Sequence, residues 1–179
     1  MKRIAEPAVV AQPRFRAPGR WLAYHFVLVA AATLIIPATP SAAAGPTPRY
    51  SPTGMVSYEI FMATNEVRAE AGCPPLRADT ELIIASVQQS GYMAATGRFT
   101  HVGADGSTFV TRAHEAGYEQ PSGENIAWGF ADPADVMAAW LASPPHRANI
   151  LNCDAKSIGA GVRFAADGTP YYTQVFGWE

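Results

Sequence analysis

The sequence predicts an α+β domain in which helices pack on a small antiparallel sheet. Two observations carry that prediction. From Met55 to Leu151, apolar residues recur at helical spacing between glycine and proline breaks. After Asp154 the texture changes to two short runs rich in valine, aromatics and threonine, "KSIGAGVRFA" and "TPYYTQVFGW", joined at Asp167-Gly168. Two such runs around an Asp-Gly turn signal a β-hairpin.

The first segment stands apart from that domain. A basic stretch runs to Arg20, Trp21 to Ile36 hold no Asp, Glu, Lys or Arg, and "PATPSAAAG" places small residues at Ala42 and Ala44. A cationic region, an apolar region and an A-x-A site make a secretory signal, with cleavage expected after Ala44. The rival is an uncleaved anchor, because the apolar run extended to Ala38 reaches about the 18 residues at which a spanning helix becomes feasible. Pro37 and Pro40 end the run just before the small-residue site and favour cleavage. Residues 1–44 are read as this signal, 45–54 as a proline-rich linker and 55–179 as the domain.

Of the 179 residues, 49% are hydrophobic, enough for one domain with a real core. The net charge of −2 hides an asymmetry: beyond Ala44 there are 8 bases and 14 acids, a net charge of −6. An acidic domain repels phosphate backbones, so nucleic-acid binding is excluded as a function class. No P-loop, glycine-rich dinucleotide fingerprint or G-x-S-x-G elbow is present.

The first helix is expected over Met55–Ala71, with Val56, Ile60, Ala63 and Val67 on its inner face, and Gly72 with "CPPL" makes the turn. Asp79 caps a second helix, with Leu82, Ile83, Val87 and Met93 facing inward and Gly97 closing it. Thr108 opens a short third helix that Gly117 stops. Asp132-Pro133 starts a fourth, carrying Val136, Met137 and Trp140 and ending at Ser143, and "PPHRANIL" adds a further helical turn or two. Cys73 and Cys153 are the only cysteines. Export would let them pair, a bridge worth roughly 4 kcal/mol in the chain-entropy model; two buried free thiols are the alternative.

Chemistry has few places to reside. A metal or acid–base site needs imidazoles and carboxylates converging from different elements. Candidates are His101 in a polar loop, Glu124 in "PSGENIAWGF" and His146 after two prolines. Each has a structural alternative: a loop tie, a turn cap or a helix-end cation. "HEAGY" lacks the second histidine of a zinc-protease helix, so His114 and Glu115 are expected on an exposed face. Trp128, Trp140 and Trp178 suit sugar stacking or, more commonly, the core; Ile126 to Trp128 are expected to anchor their segment there.

Four stretches in order, "FTHVGADGSTFVTRAHEAGY", "GENIAWG", "VMAAWLASPPHRANILN" and "IGAGVRF…YYTQVFG", resemble the bacterial, SCP-like extracellular branch of the CAP superfamily. This class comprises the cysteine-rich secretory, antigen-five and pathogenesis-related proteins. The similarity spans about Ser57 to Gly177. It implies an α-β-α sandwich and a cleft lined by two histidines and two acids, which in some members holds a divalent metal such as zinc. His101 matches the first histidine and Glu124 the acid of "GENI". Ser143 stands where the second acid is usual and Tyr171 where the second histidine is usual, and His146 is a replacement imidazole. The expected cleft is therefore His101, Glu124, His146, Ser143 and Tyr171, with His101, Glu124 and His146 as metal ligands, zinc or another divalent cation as cofactor, and Asn125 and Asn149 as structural ties. The expected function is a secreted, non-enzymatic binding module at or outside the cell envelope, taking a lipid, glycan or protein. A metal-assisted hydrolase with Glu124 as general base and a structural envelope protein are the alternatives.

Overall fold

The computed structural model describes residues 51–179; the expected signal or anchor at 1–44 and the linker as far as Tyr50 lie outside them. The element order is α1 (Pro52–Glu70), β1 (Arg77–Ala78), α2 (Thr80–Thr96), a 3-10 turn (Ala104–Gly106), α3 (Phe109–Ala116), β2 (Pro121–Trp128), α4 (Pro133–Ala142), α5 (Pro144–Ile150), β3 (Ser157–Phe164) and β4 (Pro170–Gly177). The sheet order is β1-β3-β4-β2. The expected hairpin, β3–β4, is its centre, with Gly161 opposite Thr173. β2 runs antiparallel to β4, while the two-residue β1 lies parallel to β3. The sheet is thus mixed rather than wholly antiparallel, and β1 and β2 are additional to the expected hairpin.

Local chemistry sets the helix ends. Ser51 caps α1 by accepting from the Gly54 N–H at 3.1 Å, with Pro52 in the first turn, so three residues assigned to the linker are helical. Asp79 caps α2 and Thr108 caps α3 in the same way, while Gly97 and Gly117 end them at φ 68° and 104°.

The helices form two layers around the sheet, an α-β-α sandwich. On one face α1, α4 and α5 bury Ile60, Trp140 and Ile150 against Ile158, Val162, Tyr172 and Phe176. On the other, α2 and α3 bury Leu82, Ala85 and Ala113 around Val175. This second layer is unusually close. A Cβ on Gly159 would stand 2.0 Å from the Leu82 carbonyl carbon, and one on Gly161 2.7 Å from the Val87 nitrogen. Contact at that range needs small side chains. Ser86 and Ser90 donate to the Gly159 and Gly161 carbonyls at 2.9 and 3.0 Å. The inner face of α2 is therefore Leu82, Ala85, Ser86, Gln89, Ser90 and Met93, and the expected Ile83 is 37% exposed.

Cys73 and Cys153 are bridged across a sequence separation of 80, tying the end of α1 to the α5–β3 loop. The buried Arg68 reinforces that corner, donating to the carbonyls of Pro74, Ile150, Asn152 and Ala155. Among the described residues, no helix is long and apolar enough to cross a membrane.

Candidate functional site

Strand alternation sorts the residues of β2. Glu124, Ile126 and Trp128 point to the α2–α3 side, opposite Val175, Thr173 and Tyr171 of β4. Asn125 and Ala127 point to the other side. The loop after α2 runs alongside this edge strand, so that Phe99 meets Trp128 and His101 meets Glu124.

Glu124 is the centre of the arrangement. Its side chain is 1% exposed, and both carboxylate oxygens are engaged. Oε1 pairs with His101 Nδ1 at 2.8 Å and Oε2 with Arg112 Nη2 at 2.5 Å. A carboxylate only accepts, so Nδ1 carries the proton and Nε2 of the 39% exposed imidazole is left for solvent or a ligand. Arg112, itself buried, also donates from Nη1 to the carbonyls of Ser107 and His101 at 2.9 and 3.5 Å. The guanidinium thus neutralises the carboxylate and holds the loop that carries His101.

On the opposite side of β2 the ties are neutral. Asn125 Nδ2 donates to the His146 carbonyl at 3.2 Å and to Gln174 Oε1 at 3.1 Å, and its Oδ1 accepts from Asn149 at 2.9 Å. Asn149 also donates to the Glu124 carbonyl at 3.3 Å, and Trp140 Nε1 donates to the Ile126 carbonyl at 3.0 Å. Outward carbonyls of the edge strand are therefore satisfied by α4 and α5. These bonds place α5, and with it His146, at the rim near His101. Burial, and then the electrostatic influence of His101, hold the His146 pKa below the usual histidine range.

The other expected cleft residues sit differently. Ser143 is the junction of α4 and α5 and makes no side-chain cap. Tyr171 packs with Met93 and Ile126 and stacks on Trp128, ring centroids 6.4 Å apart. Neither is a partner of Glu124; that place belongs to Arg112, which the sequence reading missed. One signal was available: Phe109, Arg112, Ala113 and Ala116 share a face of α3, and an arginine on an inner face needs an anion or carbonyls. Trp128 also departs from expectation. Ile126 and Ala127 are buried, but Trp128, on the same face as Ile126, is 44% exposed, because it is the last residue of an edge strand. Trp140 is core and Trp178 is 36% exposed. His114 lies on the exposed face expected for it, its Nε2 3.1 Å from the Glu119 carbonyl.

The donor set does not suit the divalent metal that the resemblance implies. Among the described residues, no three His, Cys, Asp or Glu side chains gather into a group able to hold a metal ion. His101, Glu124 and His146 are no exception. Arg112 is a second obstacle: a cation on Glu124 would have to displace a buried guanidinium or share the carboxylate with it.

Comparison with known proteins places this architecture. Residues 61–176 match the model of CAP, the cysteine-rich secretory protein family. The chain belongs to that family. It is 32% identical over 131 residues to the uncharacterized protein YkwD of Bacillus subtilis (strain 168), covering 71% of this chain and 50% of that protein. It is 31% identical over 119 residues to the uncharacterized membrane protein YlbC of the same organism, covering 66% of this chain and 33% of that protein. The match thus spans half or less of these relatives. Among solved structures, an extracellular SCP-domain protein from Bacillus anthracis str. Ames aligns with a TM-score of 0.64 and 26% identity, over 74% of this chain and 45% of that one.

Proposed function

We propose that this CAP-domain protein is a non-enzymatic binding module that acts at or outside the cell envelope. One observation carries the reading: both oxygens of Glu124 are committed, to Arg112 and to His101, while the imidazole remains 39% exposed. A buried carboxylate neutralised by a guanidinium is a poor general base and a poor cation ligand. It is well suited to fixing an imidazole in one tautomer and one orientation. Glu124 and Arg112 are then positioning residues, and His101 is the group presented to a ligand. The extracellular location is supported by the reading of residues 1–44 as a secretory signal, by the bridged cysteines and by the similarity to an extracellular protein from Bacillus anthracis.

The test is cosedimentation of the exported protein with isolated bacterial cell envelopes, with release of soluble sugar or peptide followed in the same samples. Saturable binding without release, weakened in His101→Ala with thermal stability retained, is the expected result. Turnover of envelope material, or binding that His101→Ala leaves unchanged, overturns the reading.

A further inference from the structure

We infer that the strip of surface along β2, from Trp128 to His101, binds a neutral oligosaccharide. This rests on the binding-module reading and names its ligand class. Trp128 and Phe99 are 44% and 41% exposed, and their rings meet at 6.3 Å with a tilt of 50°. Single exposed aromatics are ordinary. Here, however, the indole is braced from behind: Tyr171, only 6% exposed, stacks on it at 21° and is itself seated on Met93 and Ile126. A ring held in place by a buried ring is a preorganised platform, which lowers the ordering cost of binding.

The polar end of the strip is placed by the same strand. Trp128 and Glu124 lie four residues apart on one face of β2, about 13 Å at roughly 3.3 Å per residue. Glu124 holds the ring that projects there, His101, by Nδ1 and leaves Nε2 for a ligand. One end therefore offers flat apolar rings and the other a fixed hydrogen-bonding imidazole. A pyranose has the complementary character, with an apolar C–H face and a rim of hydroxyls, and a short run of linked rings spans both ends. Charge selects among saccharides. The chain beyond Ala44 carries −6, which disfavours sulfated or phosphorylated polymers and leaves neutral ones.

The experiment titrates the exported protein with a panel of neutral tetrasaccharides, β-1,4-linked N-acetylglucosamine, β-1,4-linked glucose and α-1,4-linked glucose. Heparin is the polyanionic control, and calorimetry and tryptophan fluorescence are the readouts. At least one neutral member is expected to bind saturably. Trp128→Ala should weaken it by about tenfold or more, Trp128→Phe should retain most of the affinity, and His101→Ala should weaken it several-fold. Circular dichroism of the variants checks the fold. Failure of every neutral member, tighter binding of heparin, or full affinity in a folded Trp128→Ala overturns the inference. Envelope binding measured on the same preparations separates the two readings. If it persists while the saccharides fail, only the ligand class falls; if it also fails, the binding module falls with it.

Discussion

Glu124 and Asn125 are neighbours in sequence, yet they organise opposite sides of one strand by different means. On the α2–α3 side, Glu124 is charged and held by a buried arginine and a part-exposed histidine. On the α4–α5 side, Asn125 is neutral and closed within a chain of amides and hydroxyls. That chain runs from Asn149 through Asn125 and Gln174 to Thr64 of α1, the last link a 2.8 Å bond from Gln174 Nε2. The contrast shows where this domain tolerates charge. A carboxylate is acceptable beside the open rim, where its partners also carry a surface group. Between fully packed layers, an amide can donate and accept at once without leaving a charge behind.

Removing the arginine breaks the charged side most severely. Arg112→Ala leaves Glu124 buried without a cation, and a loss of about 4 kcal/mol is expected in denaturant unfolding. The double change Arg112→Met with Glu124→Gln should recover most of that loss, since the stranded charge goes with the pair. A double variant no more stable than Arg112→Ala would show that the arginine acts through the loop carbonyls rather than through Glu124.

The neutral side should respond more mildly. Asn125→Ala strands the amide groups of Asn149 and Gln174 and is expected to cost about 2 kcal/mol. A loss as large as that of Arg112→Ala would erase the distinction between the two sides.

The smallest effect is a pH dependence at the rim that joins them. Burial, then the nearby His101, lowers the His146 pKa in the folded state. Below about pH 6.5 the unfolded chain takes up a proton there that the folded chain resists. That contribution to stability is therefore complete above about pH 6.5 and is lost as the pH falls through it and below. Unfolding curves at about pH 7.5 and about pH 5.5 should show a larger acid loss in the wild type than in His146→Gln. Equal losses would place the titration elsewhere.

Much of this could be read in the chain itself. Capping residues and glycines are local signals, so Asp79, Gly97, Thr108, Gly117 and Asp132-Pro133 marked their helix ends correctly. The hairpin followed from composition and an Asp-Gly turn. The inner face of α2 did not, because the usual signal is apolar periodicity, and here Gly159 and Gly161 bring the helix so close that serines face inward. Strand β2 was hidden for a related reason: a run containing Gly123, Glu124 and Asn125 has weak strand character, and pairing with β4 creates it.

The sequence by itself determined most of the helix ends, the closing hairpin and the two cysteines available to pair. All of these rest on local backbone chemistry or on motifs. Only the tertiary structure decided what Glu124 faces. Beside the expected His101, its partner is Arg112, 12 residues earlier on another element. The same holds for Trp128, a core residue by composition that the edge of the sheet leaves in solvent. Partnership and exposure are set by how layers meet, and no single segment of the chain records that.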